Sequence, residues 1–248
     1  MINVEWDERV TEWHGIAGSH AFQRLADAVV DAAAPVEDDR AVDIGSGTGL
    51  LTFRLAPLVS SVMAVDGSAA MIEHVRETAG SWGITNVDTR VGDFRLLNLP
   101  DATFTLAVSN YAYHHVDHAG KLAALRELLR VMAPGGRVVI SDMMFGVSVR
   151  PRDRRIIWDK VRLISRQGVA GYARILRNAW RVATNRWEYP ERPSAWAELM
   201  GEAGFIDVTV HELFNESGMA TARRPPFGAE SVASSIRQGT MGTAAHAR

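Results

Sequence analysis

The chain has 248 residues, a formal net charge of -2, 47 % hydrophobic residues and no cysteine. A chain this long buries roughly 70 to 75 % of its unfolded surface without staples, and the missing thiols exclude disulfides and thiolate metal sites while permitting a reducing, intracellular setting. No stretch approaches the ~20 uninterrupted apolar residues of a membrane span, the amino terminus MINVEWDERVTEWHG lacks the apolar core of a signal peptide, and the whole-chain charge speaks against a nucleic-acid-binding protein, so a soluble cytoplasmic protein is expected.

From the amino end, ERVTEWHGIAGSHAFQRLADAVVDAAA has the apolar spacing of one or two helices. Trp6, Trp13 and His14 stand here and suit either an anchored apolar stripe or a lid over a ligand. RAVDIG is then a short apolar run cut by glycine, as expected of a strand buried on both faces of a parallel sheet. Runs of the same kind end at Asp66, Asp93, Asn110 and near Asp142. Helical patterns separate them: GLLTFRLAPLV, SAAMIEHVRETAGSWG and DHAGKLAALRELLRVMAPGG, the last closed by a Pro-Gly-Gly that stops a helix and turns the chain.

Beyond Asp142 the alternation breaks. The stretch Arg150 to Arg192 carries twelve Lys and Arg against four Asp and Glu, interleaved with Trp158, Tyr172, Trp180, Trp187 and Tyr189, over two helical patterns. PSAWAELMGEAGF predicts another helix, FIDVTVHELF a strand and GMATARRP a short final strand; the patternless end from Gly228 on reads as a mobile tail. Strands alternating with amphipathic helices predict an α/β fold, Rossmann-like and doubly wound, with ligands at the carboxyl ends of the strands.

The stretch VDIGSGTGL is the chemically loaded one. A strand running into a glycine turn and a helix turns unpaired N–H groups and a positive dipole end toward a ligand. A dinucleotide fingerprint would place its third glycine at position 50, which is Leu50, and no Gly-Lys-Ser/Thr follows to make a P-loop. Asp43 sits in the strand two places before Gly45.

The motif VDIGSGTG resembles the first motif of the class I S-adenosylmethionine-dependent methyltransferases, and the likeness runs from about Ala41 to Phe214 through VDGSAAMIEHVRE, VGDF, NYAYHHV, LLRVMAPGGRVVISD and EAGFIDVTV. It implies a mostly parallel seven-stranded sheet with an antiparallel terminal strand and a helical cap inserted after the fifth strand. It also implies S-adenosylmethionine as cofactor, with Asp66 accepting from both ribose hydroxyls and Asp93 near the adenine amino group beside the ring of Phe94. On this reading the cofactor side comprises Asp43, Gly45, Ser46, Gly47, Gly49, Asp66, Gly67, Met71, Gly92, Asp93, Phe94, Ser109 and Asn110. Residues 1–228 form one methyltransferase domain: amino-terminal helices or lid over 1–39, cofactor core over 40–142, cap over 143–193 and carboxyl-terminal helix and strands over 194–228.

For the acceptor, the candidates follow the fourth strand. A neutral histidine there suits deprotonation of a hydroxyl near neutral pH, and His114, His115 and Tyr111 are the expected catalytic residues, His114 slightly preferred; bracing of the loop is the competing role for the pair. His114, His115, His118 and Asp117 show no recognised metal spacing, and no metal is expected. The acceptor is read as a small anionic or amphiphilic molecule, since arginine forks suit carboxylate or phosphate and aromatic rings suit an apolar body, although such arginines also serve as solvated helix faces. The chain is similar to quinone-biosynthesis and secondary-metabolite methyltransferases; oxygen is read as the methylated atom, with carbon and nitrogen left open. Two other readings stay open: a non-methylating protein that keeps the cofactor, and a nicotinamide-dependent oxidoreductase, which Leu50 and Asp43 disfavour.

Overall fold

Seven strands make one sheet in the order β3-β2-β1-β4-β5-β7-β6. They are β1 (Arg40–Ile44), β2 (Ser61–Asp66), β3 (Val87–Val91), β4 (Phe104–Asn110), β5 (Met132–Met143), β6 (Ile206–Glu212) and β7 (Ser217–Arg223). Pairings from β3 through β5 are parallel, and β7 runs antiparallel to both β5 and β6. The fold is therefore the expected doubly wound one, with six strands in one direction and one reversed. This computed structural model describes residues 10–146, 151–165 and 189–227. Trp6, the expected helix GYARILRNAWRVATNRW and the tail from Gly228 lie outside the described residues.

Alternation along the strands explains the layers. Val42 and Ile44 of β1 join Ala107, Val138 and Ile140 on one face, against Leu125, Leu128, Trp196 and Leu199. Ala41 joins Leu106, Val108 and Val139 on the other, against Ala26, Val29, Leu51 and Leu55. Both faces are covered, which is why these strands read as near-continuous apolar runs.

The helices are α1 (Val10–Ala17), α2 (His20–Ala33), α3 (Thr52–Leu55), α4 (Ala69–Ser81), α5 (His118–Val131), α6 (Pro151–Ser165) and α7 (Pro193–Ala203). The expected helix over GLLTFRLAPLV is shorter than its pattern: Pro57 converts its second half into a 3-10 turn over Ala56–Leu58. Ser68 caps α4 by accepting from Met71 N–H at 3.1 Å, and Asp117 caps α5 by accepting from Gly120 N–H at 2.8 Å. Pro134, Gly135 and Gly136 fall inside β5 and not in a separate turn, taken up as an irregularity where Phe104 pairs Met132 but Leu106 pairs Arg137.

The described part of the basic segment begins with residues committed to the framework. Arg152 donates to the carbonyls of Met144 at 2.8 Å and Ser217 at 3.1 Å and pairs with Glu212, while buried Asp153 accepts from Gly146 N–H. These contacts pin α6 to the carboxyl end of β5 and the start of β7. Ile156 turns inward and Trp158 stays exposed. Among the described residues no helix is long and apolar enough to cross a membrane.

Candidate active site

The carboxyl ends of β1, β2 and β4 open into a cleft of about 400 Å³, within the usual size for small ligands. Its lining is bare backbone at Gly45, Gly47, Gly67 and Gly92, the carboxylates of Asp66 and Asp93, Met71 and Phe94, and then Trp13, Tyr111 and His115.

The glycine loop needs its glycines for two reasons. Gly45, Gly47 and Gly49 have φ of 70°, 52° and 88°, in the left-handed region that L side chains avoid. A Cβ would also meet Ala112 Cβ at 2.3 Å from Gly45, Trp13 Nε1 at 2.7 Å from Gly47 and the Phe53 ring at 2.5 Å from Gly49. Gly45 and Ser46 donate their N–H groups to Val65 O at 2.8 and 3.0 Å, which carries the β1–β2 pairing past the strand end. Gly47 N–H donates to Asp66 Oδ2 at 2.8 Å, and Ser68 N–H to Asp66 Oδ1 at 2.9 Å. Asp66 thus ties the loop to the end of β2 while lining the cleft.

Asp43 lies one layer behind. It is buried and its Oδ2 accepts from Thr52 Oγ1 at 2.7 Å. Burial pushes its carboxyl up to about 7, the Thr52 bonds oppose this, and the nearby Asp66 charge adds to it. Asp43, Ser46 and Asn110 line a far smaller space under the loop with Trp13 and Phe22, where Ser46 Oγ and Asn110 Oδ1 are buried with no hydrogen-bond partner. Ser109 Oγ donates to Ile44 O at 2.7 Å and braces β4 against β1. Gly49 sits against Phe53.

Asp93 is held by its neighbour two places on. Arg95 donates to it through the backbone N–H at 2.9 Å, Nε at 2.9 Å and Nη2 at 2.5 Å. These bonds, against the opposing effect of partial burial, hold the carboxyl down at about 2. Arg95 itself lines the cleft, so this end carries the Asp93–Arg95 ion pair beside the carboxylate of Asp66.

The two histidines part company. Tyr111, at φ 57°, sits where the chain leaves β4 and donates its N–H to Ser141 O at 2.8 Å. A 3-10 turn over Tyr113–His115 follows. His115 lines the cleft. His114 is buried, with Nδ1 at 2.7 Å from Asp142 Oδ1. Tyr111, Phe22 and Trp13 form a ring series, with centroids 5.0 and 5.7 Å apart. Lys121, fully buried, donates Nζ to Val116 O and Tyr189 O, both at 2.6 Å, and so links this loop to the chain returning from the basic segment.

Of the residues expected from sequence, the cleft gathers Gly45, Gly47, Asp66, Gly67, Met71, Gly92, Asp93, Phe94, Tyr111 and His115. Asp43, Ser46, Gly49, Ser109, Asn110 and His114 stand behind that wall. Ser68, Arg95, Ala112 and Val116 complete the lining and were not singled out by sequence. Ser68 had a readable signal as the cap three places before Met71; Arg95 had none beyond standing two residues from an acid. Among the described residues no three His, Cys, Asp or Glu side chains gather as a metal cage.

Residues 41–136 match the family model of a methyltransferase domain. The chain is 39 % identical over 100 residues to the uncharacterized protein YafE of Escherichia coli (strain K12), covering 40 % of this chain and 47 % of YafE. It is 28 % identical over 137 residues to the aklanonic acid methyltransferase DauC of Streptomyces sp. (strain C5), covering 54 % of this chain and 61 % of DauC. The structure of Haemonchus contortus phosphoethanolamine N-methyltransferase 2 in complex with phosphomonomethylethanolamine and S-adenosylhomocysteine is similar in fold, with a TM-score of 0.66 at 15 % identity over 88 % of this chain and 57 % of that one. The chain spans about half the length of the curated relatives it matches. The family match begins in β1 and ends in β5, the same stretch that folds into the glycine loop, both cleft carboxylates and the histidine turn, and over that stretch the chain is similar to a methyltransferase domain.

Proposed function

We propose that the protein binds S-adenosylmethionine in this cleft and methylates an oxygen of a small acidic or amphiphilic acceptor in the cytoplasm. The observation that carries the reading is the two-ended lining: bare backbone with the Asp66 carboxylate at one end, Tyr111 and His115 at the other. Fit to the cofactor is favourable on charge and on shape. The Asp66 carboxylate is set at the cleft by accepting from Gly47 N–H and Ser68 N–H, and a carboxylate is the acceptor that suits the paired hydroxyls of a ribose. The same charge repels a pyrophosphate and attracts a sulfonium cation. Met71 and Phe94 would flank the adenine, and the Asp93–Arg95 pair closes that end.

Bound S-adenosylmethionine supplies an electrophilic methyl group. The residues then have two tasks, to align the acceptor and to take its proton. Alignment alone is worth roughly 7 to 11 kcal/mol. With the cofactor supplying the methyl group, the proton of a hydroxyl acceptor would pass to the His115 imidazole, whereas a carboxylate acceptor has no proton to lose. Trp13 and the Phe22–Tyr111 ring pair offer apolar surface to the acceptor. An anionic acceptor is supported by the net positive charge of Arg150 to Arg192, by DauC, whose name gives an acid as its substrate, and by the phosphorylated ligand of the Haemonchus enzyme.

Calorimetric titration with S-adenosylmethionine, S-adenosylhomocysteine, NAD and NADP tests the cofactor, with binding of the two sulfur compounds alone expected. A panel of hydroxy and carboxylic acids is then screened for S-adenosylhomocysteine release. Nicotinamide binding without sulfur-cofactor binding would overturn the reading; turnover only on neutral amines would overturn the acceptor class.

A further inference from the structure

The end of β5 places a carboxylate under the histidine pair that the cofactor reading does not use. Asp142 is fully buried and both its oxygens are occupied: Oδ1 is 2.7 Å from His114 Nδ1 and accepts from Met143 N–H at 2.6 Å, and Oδ2 accepts from His114 N–H at 3.1 Å. His114 is fixed from the other side as well, its carbonyl accepting from Tyr189 N–H at 2.7 Å. Its ring lies 4.0 Å from that of His115 and meets Tyr111 edge-on at 5.7 Å. A carboxylate, a buried histidine and a cleft histidine are thereby stacked in series.

Burying a carboxylate costs several kcal/mol unless it is well paired, so its place asks for a reason. We propose that Asp142 is a positioning residue: acting through the His114 ring, it holds the His115 imidazole at the cleft for proton acceptance. This rests on the methyl-transfer reading only for the proton that His115 receives.

Among the described residues, the titratable groups that feel the Asp142 charge include His114, His115, Tyr113 and Lys121. Burial alone would raise the Asp142 carboxyl; the two histidines and the Met143 N–H outweigh it and hold it below the ordinary carboxylate range. Tyr113 is pushed up, by burial first and by Asp142 second, and stays a neutral phenol. Burial lowers Lys121 while Glu191, Asp142 and Asp117 oppose that.

Nitrogen-15 spectra of the histidine rings from pH 5 to 9, recorded on the full chain without ligand and assigned through His114→Asn and His115→Gln, test this directly. Neutral His114 should be the Nδ1–H tautomer, donating to Asp142. In Asp142→Asn the His115 midpoint should fall by roughly half a pH unit or more, since an opposite charge is removed. A purely structural Asp142 would change the melting temperature and leave that midpoint alone. An unchanged His115 midpoint in a folded variant, or an Nε2–H tautomer at His114, would overturn the proposal. Should Asp142→Asn fail to fold, the wild-type curves decide, because a coupled pair gives His115 a second inflection at the His114 midpoint and an independent ring gives a single step. Calorimetry with S-adenosylhomocysteine, run separately, reports on the cofactor reading; its failure would leave the tautomer and midpoint results standing.

Discussion

The two ends of the cleft are built in different ways. At the cofactor end the contacts are local or between neighbouring parallel strands: Asp43 to Thr52 across nine residues, Gly47 to Asp66 across 19, Arg95 to Asp93 across two. At the acceptor end they cross the chain: His114 to Asp142 over 28 residues, Lys121 to Tyr189 over 68 and His118 to Glu191 over 73. The first end is a strand–turn–helix device that any stretch of the right sequence can form. The second exists only once β4, β5 and the chain after the basic segment have assembled. A ligand common to many proteins suits the first construction, and an acceptor particular to one protein suits the second.

If the division is real, changes at one end should leave the other alone. The largest expected effect tests the layer under the glycine loop. Folded Asp43 holds its proton up to about pH 7, whereas in the unfolded chain the group ionises near 3.9. Its folded form is thus increasingly penalised as pH rises through that interval, by up to ~4 kcal/mol. Thermal melts from pH 5 to 8, a window that holds about 2.7 kcal/mol of that penalty, should show wild-type protein losing roughly 5 to 10 °C relative to Asp43→Asn, which carries no such charge. Parallel curves would break the assignment.

Next in size, Asp66→Ala should weaken S-adenosylhomocysteine binding by about 3 kcal/mol, roughly 10²-fold, from the loss of charge-assisted hydrogen bonds. Calorimetry checks it, and full affinity in a folded variant would defeat the ribose role. Lys121→Met should lower stability by about 2 kcal/mol, since it strands the carbonyls of Val116 and Tyr189, and should lower the melting midpoint by roughly 4 to 8 °C with cofactor affinity unchanged within about twofold. A joint collapse of affinity would mean that the acceptor end braces the cofactor end, and the comparison would fail. The smallest effect on binding belongs to His115→Gln, which should leave cofactor affinity untouched while reducing turnover on a hydroxyl acceptor by about 10²- to 10⁴-fold. Unchanged turnover would remove His115 as the base and leave alignment as the means of catalysis.

Legibility follows the same line. Gly45 and Gly47 could be placed at the cleft from the strand–turn–helix pattern, and Asp66, Gly92, Asp93 and Phe94 from the family resemblance, and all are met there because in a doubly wound sheet the carboxyl ends of the strands face one edge. The short α3 and the irregular start of β5 show what periodicity overlooks, a proline or a glycine pair absorbed into an element. For the histidines, sequence could name the pair and not its facing. Neighbouring side chains on a tight turn leave it in widely different directions, and which one reaches the cleft depends on where Asp142 arrives from β5. Trp13 is comparable: its spacing suits a helix stripe, and it packs on Phe22 as a stripe residue would while also reaching over Gly47 and lining the cleft.

By itself the sequence determined the order of elements, the doubly wound sheet and the glycine loop with its acidic partners, because these depend on periodicity and on backbone angles that only glycine tolerates. Tertiary structure alone decided that His115 and not His114 lines the cleft, that Arg95 engages Asp93, and that a buried lysine joins the histidine turn to the chain beyond the basic segment. Those outcomes rest on buried charges finding partners, some of them distant in the chain, and the cost of leaving them unpaired is felt only when the strands have brought the groups together.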